Sequence, residues 1–120
     1  MALNTCMRYD MLEGTWQWMP SMREERSFVS SCSLGGYIYV INGKNKYGKT
    51  SKIIEKLPVK LSLSEQKQQV WQSIPVSNFR REFTPRILSI ACPITSTQIL
   101  IMGGKAMYGE MQNDVFLFDI

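Results

Sequence analysis

Histidine is absent from this 120-residue sequence. Its absence removes the commonest general base and the commonest metal ligand together. The chain therefore reads as a non-enzyme, with no catalytic residues, no metal site and no cofactor. Cysteine is scarce. Cys6, Cys32 and Cys92 cannot pair completely, and none belongs to a C-x-x-C motif, so neither a disulfide framework nor a zinc site is expected. No apolar run approaches the roughly 18 residues of a membrane-spanning helix. The opening MALNTCMRYD lacks a charged segment followed by an apolar one, so no secretory leader is expected. Together these absences predict a soluble cytoplasmic protein with reduced thiols and no membrane partner.

What the sequence does hold is short runs of β-branched and aromatic residues, the composition of strands. Residues 26–43, RSFVSSCSLGGYIYVING, read as a hairpin. Apolar and small residues alternate through Phe28, Ser30, Cys32 and Leu34. Gly35 and Gly36 suit a two-residue primed turn, in which both central residues need positive φ. A strand over 37–41 then runs back. A degenerate second copy spans 86–104, with strands expected over 87–92 and 98–102. Further strands are expected over 3–9, over 15–19 (stopped by Pro20), over 70–74 (stopped by Pro75) and over 114–119. Residues 53–63 read as one long strand, with Ile53, Leu57, Val59, Leu61 and Leu63 in period two and with Pro58 suiting a sheet edge. Residues 42–51 and 76–85 read as loops.

The spacing repeats. Trp16 to Pro20 and Trp71 to Pro75 are both four residues, and Arg26 to Cys32 and Arg86 to Cys92 are both six. A period of about 50 residues with four strands per repeat points to the blades of a propeller rather than to a sandwich.

Tyr9, Asp10, Trp16, Pro20, Met22, Arg26, Gly35, Gly36, Tyr39 and Gly43 follow one another in an order that resembles the kelch repeat. Trp71, Pro75, Arg86, Gly103 and Gly104 form a second copy, and Phe118-Asp119 begins a third. The resemblance covers nearly the whole chain. Two departures stand out. Asn42 replaces the first glycine of a pair, as the next best residue where φ is positive. The second Tyr-Asp is lost, with Leu57-Pro58 or Leu63-Ser64 in its place. The resemblance implies an all-β, partial kelch-type β-propeller of antiparallel four-stranded blades. Its use would be as a protein-interaction scaffold, as in ubiquitin-ligase adaptors or cytoskeletal proteins. Residues 1–22 would end one blade, 26–75 would form a complete one and 86–120 would start a third. These make about nine strands, too few to close alone, since propellers close with roughly 4 to 8 four-stranded blades. The region 1–120 would then need further blades from a longer chain or another subunit, or would be a truncated fragment with no independent function. Each Trp is expected between blades, and Cys32 and Cys92 as small buried hydrophobes at equivalent positions.

Residues 43–50, GKNKYGKT, match the phosphate-loop pattern G-x-x-x-x-G-K-T. Lys49 would reach phosphates and Thr50 would hold Mg²⁺, but only if a helix follows Thr50. That is the alternative, nucleotide-binding reading. Charge placement favours a binding surface instead. In a four-stranded blade the second-to-third-strand loop and the loop between blades emerge on one face. Arg23, Lys44, Lys46, Lys49, Arg80, Arg81 and Lys105 fall there with Tyr47, Phe79 and Tyr108, against Glu24, Glu25, Glu82 and Glu110. The expected partner is a protein, in particular an acidic peptide. A net charge of +4 without a nucleic-acid motif gives no reason to expect nucleic acid.

Overall fold

The computed structural model describes residues 1–60, 65, 69–75, 79, 83–106 and 110–120. Among them every named element is a strand. In order they are β1 (Cys6–Asp10), β2 (Thr15–Met19), β3 (Arg26–Ser27), β4 (Ser30–Leu34), β5 (Tyr37–Ile41), β6 (Lys44–Asn45), β7 (Ile54–Pro58), β8 (Gln72–Ile74), β9 (Ile90–Thr95), β10 (Gln98–Met102) and β11 (Val115–Asp119). The three main sheets are β1-β2, β4-β5-β7-β8 and β9-β10-β11; β3 and β6 form a two-residue ribbon beside the central sheet. All pairings are antiparallel. The fold is all-β, and none of these sheets closes on itself. They hold two, four and three strands.

The repeat is visible in the pairing register. Tyr37 opposes Pro58 and Ile38 opposes Leu57 in the central sheet; Gln98 opposes Asp119 and Ile99 opposes Phe118 in the third. Arg8 opposes Gln17 in the first sheet, and Lys56 opposes Gln72 in the central one. Both registers place Leu57-Pro58 where Tyr9-Asp10 and Phe118-Asp119 stand. Leu63-Ser64, the other candidate, lies outside the described residues.

The central sheet is covered on both faces. Tyr39, Ile41 and Ile54 pack against Ile99, Ile101, Phe116 and Phe118 of the third sheet. Val40 and Leu57, pointing the other way, pack with Trp71 against Met19 and Cys6 of the first. Alternation along each strand produces this, because successive side chains point to opposite faces. The segment leading into β9 also touches the central sheet: the Ser30 hydroxyl at the start of β4 donates to the Ser89 carbonyl at 2.9 Å, and the Gly43 amide, just past β5, donates to the Arg86 carbonyl at 3.0 Å.

Several elements differ from the sequence reading. The first strand of the third sheet runs from Ile90 to Thr95, not over 87–92, with a register shift opposite Gln98/Ile99. Phe28 does not continue a strand: it has φ +55°, and Leu88, the same position in the next repeat, has φ +57°. Both side chains are exposed. The expected strand 53–63 is β7, which ends at Pro58, and 61–63 lie outside the described residues. Its buried residues are Ile54, Glu55 and Leu57, while Ile53 and Val59 are exposed. β7 is also not an edge strand. Pro58 is accommodated because it lies beyond the ladder to β8, which ends at Lys56. β6 is a short strand inside the expected loop 42–51.

Gly35 (φ +59°) and Gly36 (φ +80°) make the expected primed turn. Asn42 does stand in for glycine, at φ +65° beside Gly43 at +100°, matching Gly103 at +69° and Gly104 at +90°. A Cβ on Gly43 would lie 2.9 Å from the Ser27 carbonyl oxygen, and one on Gly104 2.5 Å from that of Ile87. These glycines are required by space as well as by φ.

Candidate interaction surfaces

The basic loop face rests on a buried charge network. Arg26 is buried and pairs with the buried Glu55 carboxylate; its Nη1 also donates to the carbonyls of Asn42 and Ile53. Arg86 repeats the arrangement with different residues. Its Nη1 donates to the Gly103 carbonyl at 3.1 Å and to Asp114 Oδ1 at 2.6 Å. Phe116 stands where Glu55 stands in the preceding sheet, and the Arg86 guanidinium lies 4.8 Å over its ring. Both arginines tie the start of a repeat to the end of its own hairpin.

Above this network the 43–51 loop is internally braced. β3 and β6 pair Arg26 with Asn45 and Ser27 with Lys44. Asn45 Oδ1 accepts from the Tyr47 amide at 3.0 Å and the Lys49 amide at 3.1 Å, an Asx-type cap. Lys44 and Thr50 form a further bridge. Ser51 donates to Glu24, whose other oxygen accepts from Asn45 Nδ2 at 3.3 Å. The backbone is thus held while Lys44, Lys46, Tyr47 and Lys49 stay exposed. Lys46 reaches Glu25 at 3.9 Å and lies 5.4 Å from the Tyr47 ring centroid.

The other residues expected on this face divide. Arg23 is exposed but tethered: its Nε donates to the Trp71 carbonyl at 2.8 Å, and its amide donates to Glu55 Oε1 at 2.6 Å. Lys105 pairs with Ile87 as Lys44 pairs with Ser27. Phe79 is no loop aromatic; it is buried in the core, stacked on Phe83 at 3.9 Å between ring centres. Arg80, Arg81 and Tyr108 lie outside the described residues.

Among the positions of the repeat, Trp71 is core, as expected, and Tyr39 and Phe118 are core as well. Trp71 donates its indole N–H to the Pro20 carbonyl of the first sheet at 2.7 Å. Trp16, its counterpart, is 64% exposed, and Tyr9 beside it is 47% exposed. The expectation that every Trp lies between sheets fails there because, among the described residues, no sheet covers that face of β1-β2. Asp10 caps the following turn, accepting from the Leu12 and Glu13 amides. Asp119 accepts from Gln98. Pro75 directly follows β8, as Pro20 follows β2. Cys32 is half-buried and Cys92 exposed, so only the former approaches the small buried hydrophobe expected of both; all three cysteines are free thiols. Burial raises the Cys6 thiol above its ordinary value. Burial, then the neighbouring Cys92, raises that of Cys32.

The phosphate-loop match lacks its helix: residues 50–58 run from a bridge at Thr50 into strand β7. Among the described residues no group of three or more His, Cys, Asp or Glu is placed to hold a metal ion. The same set contains no helix long and apolar enough to cross a membrane.

One feature sits on the opposite face, which the charge pattern leaves out. A cleft of about 350 Å³ opens at the hairpin turns between the central and third sheets, lined by Tyr37, Tyr39, Lys56, Ile74 and Ile120. Lys56 Nζ lies 4.6 Å from the Tyr37 ring centre. Burial, then Tyr37 and Cys32, raises the Tyr39 hydroxyl pKa. Only the register that brings Lys56 beside Tyr39 could have indicated it. No protein-family model and no curated protein matches the chain.

Proposed function

We propose that this chain is a kelch-type binding scaffold rather than an enzyme, and that it presents its basic loop face to an acidic protein segment. The observation that carries this reading is the 43–51 loop. Three lysines and a tyrosine stand exposed on a backbone fixed by the β3-β6 ribbon and the Asn45 cap. A pre-ordered loop loses little entropy on binding, and an exposed aromatic flanked by cations is a combination binding surfaces use. Arg80, Arg81 and Tyr108 extend the proposed face by sequence. Three free thiols support a reducing, cytoplasmic setting.

The test is fluorescence anisotropy with a labelled Glu-rich peptide. Tyr47→Ala is expected to weaken binding by about 1 kcal/mol. Lys46→Ala should chiefly slow association and reduce its salt dependence. Glu13→Ala, in the β1-β2 turn at the other end, should leave binding unchanged. If Glu13→Ala weakens capture and Tyr47→Ala does not, the face assignment is wrong.

A further inference from the structure

We infer that two copies of this chain join head to tail, the free face of β1-β2 in one copy docking on the free face of β9-β10-β11 in the other. The inference rests on the internal repeat and is independent of what the loop face binds.

Each internal junction uses a giving face and a receiving face. At the second junction the central sheet gives Tyr39, Ile41 and Ile54, and the third sheet receives them with Ile99, Ile101, Phe116 and Phe118. At the first junction Met19 and Cys6 give, and Val40, Leu57 and Trp71 receive. The pairing registers carry these roles onto the two faces that no described sheet covers. Tyr39, Ile41 and Ile54 correspond to Leu100, Met102 and Val115. Leu57 and Trp71 correspond to Tyr9 and Trp16. One chain therefore carries a spare giving face and a spare receiving face of the kind that already pack against each other inside it.

Both are apolar and open. Met7, Tyr9, Trp16 and Trp18 are 45%, 47%, 64% and 67% exposed, and Ile90 and Val115 are 62% and 47% exposed. Four large apolar side chains on one two-stranded sheet form a contiguous patch of the kind that marks an interaction site. A giving face cannot pair with a second giving face in the way the internal junctions do, so the contact is heterologous. When both contacts form between the same two copies, each spare face is covered and growth stops at two. The expected product is a dimer in which both contacts form.

Sedimentation of the 120-residue chain from about 1 to about 100 µM tests this by mass action. A monomer–dimer transition is expected. Trp18→Glu and Val115→Glu, both at exposed positions, should each be folded by circular dichroism and monomeric throughout. An equimolar mixture of the two variants should again give a dimer, because one carries an intact giving face and the other an intact receiving face. Cys92, which opposes Leu100 on the giving face, should become slower to alkylate as concentration rises in the wild type, and should not in either variant alone. A wild-type chain that stays monomeric with Cys92 reactive overturns the proposal and leaves the faces to a partner of another sequence. A dimer that survives either substitution, or variants that are not rescued by mixing, also overturns it.

Discussion

At the scale of single residues, the same backbone task is met by different side chains. Arg26 is neutralised by Glu55 from two positions farther along the following strand than Asp114, which neutralises Arg86. The Arg26–Glu55 pair has both side chains fully buried, whereas Asp114 is 28% exposed. Removing one partner of a buried pair leaves an uncompensated charge, at a cost of about 3–5 kcal/mol. Glu55→Ala is therefore expected to lose that much in urea unfolding. Asp114→Ala should lose about 1–3 kcal/mol, because Asp114 is partly exposed and its site is open to water, whereas Glu55 is fully enclosed. Equal losses would mean that the two arginines are not held differently. A second comparison separates φ from space. Gly36→Ala meets only the strain of positive φ, since nothing lies near the added methyl, whereas Gly104→Ala also drives it into Ile87. Gly104→Ala should be the more destabilising, beyond the roughly 1 kcal/mol that positive φ alone costs a residue with a side chain.

At the scale of elements, strand order and hairpins were readable because they depend on local signals: Gly35-Gly36, the prolines after β2 and β8, and period-two alternation. β7 was misjudged because its apolar residues serve two cores, Ile54 one and Leu57 the other, with a charged residue buried between them. A pattern that assumes one wet face cannot represent a strand covered on both. The kink at Phe28 and Leu88 was missed because large apolar residues rarely adopt positive φ, and only the repeat of the distortion sixty residues on identifies it. The loop face was partly readable, since exposed lysines need no tertiary information; Phe79 was misplaced because its burial comes from contacts distant in sequence. Tyr39 on β5 provides a test of the packing. Folding raises its pKa, so above the ordinary tyrosine value of about 10 the unfolded chain releases a proton the folded chain keeps. Stability should fall as pH rises from there towards the folded-state value. Cys6 and Cys32 add a falling limb that starts lower, but it is common to wild type and Tyr39→Phe. Denaturation midpoints from about pH 9 to 11 should drop further in wild type than in Tyr39→Phe. Parallel curves would show that Tyr39 is not held protonated.

At the scale of the whole molecule, the chain behaves as a short stack in which each sheet is stabilised by its neighbours. In such arrays stability is approximately a sum of unit and nearest-neighbour terms. Among the described residues, the central sheet has two neighbouring sheets, and the first and third have one each. The first sheet is the weakest unit, because its two strands form a single ladder and four of its large apolar side chains face water. A two-stranded hairpin is marginal by itself, so β1-β2 depends on Met19, Cys6 and the Trp71–Pro20 hydrogen bond for its place. Amide exchange reports such differences, because local opening exposes weak units before strong ones. The amides of β5 and β7 should exchange slowest, those of β10 next and those of β1 and β2 fastest. Trp71→Phe keeps an aromatic ring but removes the indole N–H, and should speed exchange in β1-β2 while leaving β10 unchanged. If β1-β2 and β5 exchanged at one common rate in dilute protein, the stack would open as a single cooperative unit, and neighbour-by-neighbour stabilisation would have to be abandoned.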